Sequence, residues 1–246
     1  MRVEKNKKGC LVIDDNENIL ACLDFKLQPI TEKCKSKVYA FECLSTVKIQ
    51  SNIAVDNEVF FCSHSTSIIK DICLQQIGHF KSVYYDNVPL ISYNMPISCL
   101  LDKYFVGKLL SNAQMPIALE ITEFDIEVNQ VSKLLTISEN ISRLQDKGMK
   151  LWFDDFYHNC SKHLFWLGLI NWDVVKMDKS YIHTDYDSCH LSHFVKQLAN
   201  ENTDVVLEGI ESQYIYELIK NHNVKLQGYY ISYPKMKSEL DEFHSY

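Results

Sequence analysis

The chain has 246 residues, 46% of them hydrophobic, enough to bury a substantial core, and a formal net charge of -7 at pH 7. With 25 Lys and Arg against 32 Asp and Glu, no cationic field is available for DNA or an anionic membrane surface, so an anionic substrate would need metal ions or local cations. Nine cysteines without a Cys-x-x-Cys pair predict reduced, mostly buried thiols in a cytoplasmic protein. The basic start runs into Asp14, Asp15 and Glu17 rather than a signal-peptide core, and no apolar run reaches the roughly 20 residues of a membrane span.

No Pro/Gly/Ser-rich linker divides the chain, and one domain is predicted over residues 1–246. In chain order, a strand over 38–43 precedes a hydrophobic helix around 58–77, with Phe60, Phe61, Ile68, Ile69, Ile72 and Ile77 as core candidates. Strands over 89–93 and 117–122 follow. The clearest helix carries Val131, Leu134, Leu135, Ile137, Ile141 and Leu144 at helical spacing and stops at Gly148, with Lys147 in its last turn. Beyond it come a strand over 149–153, a helix near 163–169, a strand over 174–177, a helix near 193–199, a strand over 205–207, a helix near 213–221 and a strand over 224–230. Such alternation is the pattern of parallel βα units, and the length suits one α/β barrel as well as two small domains.

Side chains at the carboxyl ends of parallel strands converge on one face. Here those ends read Glu42, Asn94, Glu120 with Glu123, Asp154 with Asp155, Lys176 with Asp178, Glu208 with Glu211, and Gln227 before Gly228. An acidic dipeptide alone is usually a solvated turn; the repetition is what points to a site, because charges near a barrel mouth are costly unless paired. Converging carboxylates repel unless cations neutralise them, and hard oxygen donors suit Mg²⁺ or Mn²⁺. Two ions about 3.5–4 Å apart can clamp the attacking and leaving oxygens of an in-line displacement. Asp154 then reads as a bridging ligand, Asp155 as a ligand of the second ion, and Lys176, set among Val174, Val175 and Met177, as a fixed charge beside the attacking water. The expected reaction is phosphodiester hydrolysis.

Other constellations read more plainly. Cys189, His190, His193 and His183 lack a second Cys pair and read as a solvated segment rather than a zinc site. Trp152, Trp166, Trp172 and Phe165 read as core, whereas Tyr157 and His158, placed after an acidic strand end, are the better base-stacking candidates. No Ser-His-Asp arrangement, P-loop or dinucleotide glycine fingerprint is present.

At its strand ends the sequence resembles the EAL-domain family, phosphodiesterases that linearise cyclic di-GMP. The resemblance rests on Gln28-Pro29-Ile30, Phe41-Glu42-Cys43-Leu44, Glu120-Ile121-Thr122-Glu123, Asp154-Asp155-Phe156, Lys176-Met177-Asp178, Glu208-Gly209-Ile210-Glu211 and Gln227-Gly228-Tyr229, in order over nearly the whole chain. It implies a TIM-like (β/α)8 barrel modified with an antiparallel strand, and hydrolysis of cyclic di-GMP to linear pGpG with two Mg²⁺ or Mn²⁺ ions, in control of motility, biofilm or fimbriae. It implies metal ligation by Glu42, Asn94, Glu120, Asp154, Asp155 and Glu208, with Lys176, Glu42 and Glu208 catalytic. Gln28, Leu44, Asp178, Gln227 and Pro234 would bind substrate, and Glu123 would anchor the loop after Asp155.

Three positions depart from the family pattern. Cys43 replaces an alanine and keeps the ligand Glu42 beside it. Thr46 stands where the family usually has an arginine on a substrate phosphate, a contact worth about 1.5–3 kcal/mol. Bulky Phe156-Tyr157-His158-Asn159-Cys160 replaces a small-residue turn. These departures open an alternative, a catalytically silent cyclic di-GMP sensor or protein-binding regulator. The resemblance also allows a homodimer and a regulatory protein partner.

Overall fold

The computed structural model describes residues 1–33, 37–49, 53–82, 90–112, 115–127, 129–184 and 186–240. Its first half comprises β1 (Arg2–Lys5), β2 (Gly9–Ile13), β3 (Ile19–Thr31), β4 (Val38–Ile49), β5 (Ile53–Val55), α1 (Asn57–Cys62), α2 (Thr66–Phe80), β6 (Ile91–Pro96), a 3-10 turn, α3 (Lys103–Leu110) and β7 (Ile117–Thr122). The second half comprises α4 (Val131–Gln145), β8 (Lys150–Phe156), α5 (Ser161–Leu169), β9 (Val174–Met177), α6 (Lys179–Thr184), α7 (Ser188–Ala199), β10 (Asp204–Leu207), α8 (Gln213–Ile219) and β11 (Lys225–Leu226). Among the described residues no helix is long and apolar enough to cross a membrane.

Strands close on themselves in the order β3-β4-β6-β7-β8-β9-β10-β11 and back to β3. Pairings from β4 through β11 are parallel, whereas β3 runs antiparallel to both neighbours, which is the modified barrel that the resemblance implies. At 13 and 12 residues, β3 and β4 outrun the barrel, and their far ends carry β2 and β5.

Strand alternation sorts side chains into an outer shell under the helices and an interior of stacked layers. The shell packs Leu23, Phe25, Leu27 and Cys43 with helix residues such as Ile72, Leu144, Trp166 and Leu191. The lower interior layer is Ile30, Ala40, Ala118, Trp152, Val174 and Val206, all fully buried. Two residues further along each parallel strand lie Glu42, Glu120, Asp154, Lys176 and Glu208; on antiparallel β3 the step runs backward to Gln28. One apolar layer therefore supports one charged layer.

Several expectations shift at their edges. The helix expected over 58–77 is two helices, because the chain breaks at Ser63 and restarts at Thr66. Position 89 of an expected strand lies outside the described residues, and β6 begins at Ile91. The strand expected over 224–230 ends at Leu226, where Gln227 enters the site and Gly228 turns the chain. Trp152, Trp166 and Trp172 are core residues, at 0%, 0% and 4% exposure.

Candidate active site

The charged layer converges on Lys176. Its Nζ lies 2.7 Å from Glu208 Oε1, 2.9 Å from Glu120 Oε2, 3.0 Å from Asp154 Oδ1 and 3.2 Å from Glu42 Oε2, with the lysine 1% exposed. Amides and a hydroxyl fix the carboxylates. Asn94 Nδ2 donates to Glu42 Oε1 at 2.7 Å, Gln227 Nε2 donates to Glu42 Oε2 at 2.5 Å, and Ser92 Oγ donates to Glu120 Oε1. Gln227 Nε2 also reaches Gln28 Oε1 at 3.2 Å, while Gln28 Nε2 donates to the Ser232 carbonyl at 3.1 Å. Ser92 was not foreseen from sequence; its signal was a small hydroxyl residue two positions before Asn94, on the same face of β6.

Local backbone devices place the remaining acids. Strict alternation would turn Asp155 away from Asp154, but Asp155 adopts φ 51° and the β8–β9 register shifts between Phe153 and Phe156. This bulge re-aims a side chain at the end of β8. As a result, one oxygen each of Asp154, Asp155 and Glu208 lie within 4.8 Å of one another. The chain after Glu208 passes so close to α6 that a Cβ on Gly209, at φ 72°, would meet Lys179 Cβ at 2.6 Å. After Gln227, a Cβ on Gly228 would lie 2.3 Å from the Ile210 carbonyl oxygen.

Electrostatics follow from this crowding. Burial opposes the charge on Lys176, but Asp154, Glu120, Glu208 and Glu42 outweigh it and hold the ammonium well above its ordinary range. For Glu42, burial is outweighed by Lys176 and by the Gln227 and Asn94 amides, and its pKa falls. Burial first, then the charge of Glu42, pushes Glu120 well above the carboxylate range. Burial likewise raises Asp154. The neighbouring Asp154 carboxylate, then withdrawal from water, pushes Asp155 up to about 7; burial, followed by Asp154 and Glu42, pushes Glu208 up to about 8.

The residues present fit a divalent cation. Asn94 Oδ1 and Gln227 Oε1 are buried without a hydrogen-bond partner among the described residues, and every donor in the layer is a hard oxygen. The open oxygens belong to Asp154, Asp155, Glu208 and Asn94, whereas those of Glu42 and Glu120 are engaged by Lys176, Ser92, Asn94 and Gln227.

A cavity of about 440 Å³ opens from Asp154 and Asp155 past Asn94 and Leu44 to Phe61 and Ile69. Glu123 lines it too, exposed and at φ 45°, and among the described residues its carboxylate has no hydrogen bond to the loop after Asp155. Asp178 is half-buried and caps the start of α6, its Oδ1 accepting from the Ser180 N–H at 2.8 Å. Pro234 is half-buried beside Lys235, whose backbone pairs with Leu27 of β3. In the loop after Asp155, Phe156 is buried and stacks on Phe194 at 5.3 Å. His158 is not a free stacking surface: its ring packs against Tyr181 at 5.6 Å and His190 at 4.8 Å. Among the described residues, Cys189, His190, His193 and His183 form no metal-binding group.

Fold and site together define an α/β-barrel protein with an acidic, oxygen-lined centre at the carboxyl ends of its strands. The chain belongs to the EAL domain family, whose profile matches residues 21–234. The probable cyclic di-GMP phosphodiesterase PdeD of Escherichia coli (strain K12) is 32% identical over 120 residues, which is 46% of this chain and 22% of that protein. The matched segment thus spans about a fifth of that relative's length. In fold, the chain is similar to an EAL domain protein from Listeria monocytogenes EGD-e, with TM-score 0.74, 22% identity and 92% of each chain covered. It is also similar to Klebsiella pneumoniae BlrP1 in a manganese and cyclic di-GMP complex, with TM-score 0.68, 20% identity, and 88% and 59% of the two chains covered.

Proposed function

We propose that the protein, acting as one domain over residues 1–246, is a metal-dependent phosphodiesterase that hydrolyses cyclic di-GMP to linear pGpG. The observation that carries this reading is a charge count. Four carboxyl groups, from Glu42, Glu120, Asp154 and Glu208, surround one ammonium and Asp155 lies beside them; fully ionised, the five would carry four excess negative charges that two divalent cations would neutralise. Glu208 and Asp154, with Asp155 and the free oxygen of Asn94, would hold the ions, either Mg²⁺ or Mn²⁺. Support comes from PdeD, a probable cyclic di-GMP phosphodiesterase, and from BlrP1, seen with manganese and cyclic di-GMP.

Bound divalent ions supply activation of water at neutral pH and stabilisation of the attacking and leaving oxygens. The chain's own residues do the rest. Lys176 keeps its proton and fixes the four carboxylates around it, so the layer is organised before substrate arrives. Glu42, clamped by Asn94 and Gln227, ties β4 to β6 and β11. Glu208 holds a proton on its carboxyl oxygen up to about pH 8, through burial first and then the charges of Asp154 and Glu42, and would give it up to serve as a ligand. The adjoining cavity, lined by Leu44, Phe61 and Ile69, has the size and apolar character to seat a nucleobase.

One observation favours a second reading, a catalytically silent protein-binding regulator: Thr46 brings no charge to a substrate phosphate, and Lys48 nearby is paired with Asp24 at 2.7 Å. Incubation of the purified protein with cyclic di-GMP and Mg²⁺ or Mn²⁺ separates the two. Release of pGpG is expected, lost in Glu42→Ala and Asp154→Ala variants that remain folded. A folded wild type that yields no linear product with either metal discards the enzyme reading; full activity in Asp154→Ala rejects its proposed ligand role, and full activity in Glu42→Ala rejects the organising role proposed for Glu42.

A further inference from the structure

We propose that Lys26 binds a phosphate of the substrate from a wall that rises above the carboxylate layer; this rests on the phosphodiester substrate proposed above. The wall is the part of β3 and β4 that runs beyond the barrel. Leu23, Phe25 and Leu27 face the outer core, so Asp24, Lys26 and Gln28 face the opposite way, on the side of the charged layer. The antiparallel register sets Gln28 opposite Glu42, Lys26 opposite Leu44, Asp24 opposite Thr46 and Cys22 opposite Lys48. Directly opposed residues of an antiparallel pair project to the same face. Lys26 therefore sits one step, about 7 Å along the strand, above the layer that holds Gln28 and Glu42.

Two other cations of this face are already engaged. Four carboxylates hold Lys176, and Asp24 holds Lys48 at 2.7 Å. Lys26 is half-buried, yet among the described residues its ammonium has no ion-pair or hydrogen-bond partner. Its cross-strand neighbour Leu44 lines the cavity that contains Asp154 and Asp155, so the lysine stands one strand away from that lining. A cyclic dinucleotide entering this cavity carries two phosphate charges toward a layer rich in carboxylates. The flexible four-carbon stem of a lysine beside Leu44 can deliver a point charge to a phosphate on that path.

The test is steady-state hydrolysis of cyclic di-GMP with Mn²⁺ by the wild type, Lys26→Ala and Lys26→Arg. A phosphate held equally in ground and transition states gives a KM about tenfold or more higher in Lys26→Ala, with kcat within about threefold of wild type. Lys26→Arg should restore KM, and kcat/KM of Lys26→Ala should fall less steeply with added salt. An unchanged KM in a folded Lys26→Ala variant overturns this inference and leaves the phosphodiesterase reading standing. Should the wild type bind cyclic di-GMP without turning it over, the phosphodiesterase reading fails and the same shift is read in Kd. A wild type that neither binds nor hydrolyses the dinucleotide overturns both.

Discussion

Replacing Lys176 with alanine removes the positive centre of a buried layer and leaves five carboxylates facing one another. In the native chain the ammonium lies 2.7–3.2 Å from four carboxylate oxygens at 1% exposure, so its removal breaks four buried charge contacts at once. Breaking a buried ion pair by removing one partner costs about 3–5 kcal/mol. For a chain of this size each kcal/mol moves the unfolding temperature by about 2–4 °C, so the metal-free variant should unfold roughly 6–20 °C below wild type near pH 8. The deficit should shrink near pH 5.5, where protonation removes the repulsion, and shrink again on adding Mn²⁺. Turnover should fall by about 10²-fold or more, the loss usual when a preorganised charge leaves an active site. Thermal unfolding with chelator at the two pH values, alongside the hydrolysis rate, checks each part. A variant with wild-type stability in chelator near pH 8, or wild-type turnover, refutes the reasoning.

Asn94→Ala should weaken Mn²⁺ binding by roughly 10–100-fold in calorimetric titration, because it removes the buried free oxygen and loosens Glu42. Asp155 and Glu208 keep protons in the folded chain up to about 7 and about 8, where the unfolded chain has already lost them. Stability of the metal-free protein should therefore fall as pH rises through that window, from about 4 to about 8, as urea unfolding at a series of pH values would show. Gly228→Ala should cut activity by roughly tenfold or more, since its Cβ would meet the Ile210 carbonyl at 2.3 Å and displace Gln227; kinetics compared with the unfolding temperature distinguish misplacement from collapse. Trp152→Ala, in the apolar layer beneath the carboxylates, should cost about 3–5 kcal/mol in denaturant unfolding.

The parallel strands were legible in the sequence because each is buried on both faces and reads as an apolar run carrying a single charged residue near its end, as with Glu120 in Ile117–Thr122 and Lys176 in Val174–Met177. Strand β3 was not, because its inward face carries Asp24, Lys26 and Gln28 and breaks the apolar pattern that would reveal it. Extension of the last strand to residue 230 failed because Tyr229 and Tyr230 look strand-like, while Gly228 has already turned the backbone. Placement of acids at strand ends pointed to a shared centre. What sequence could not give is the distance geometry: the fourfold pairing of Lys176 depends on strands far apart in the chain, and the turn of Asp155 into the site depends on a positive φ. His158 misled because loop position was read as exposure, whereas helix α7 supplies His190 to pack against it.

Titration of metal-free protein with Mn²⁺ under calorimetry, repeated on Asp154→Ala, tests the central claim most directly. The account predicts two ions per chain, protons released on binding near pH 7, and loss of both sites' affinity in the variant. Absence of binding, or binding that Asp154→Ala leaves intact, would contradict it.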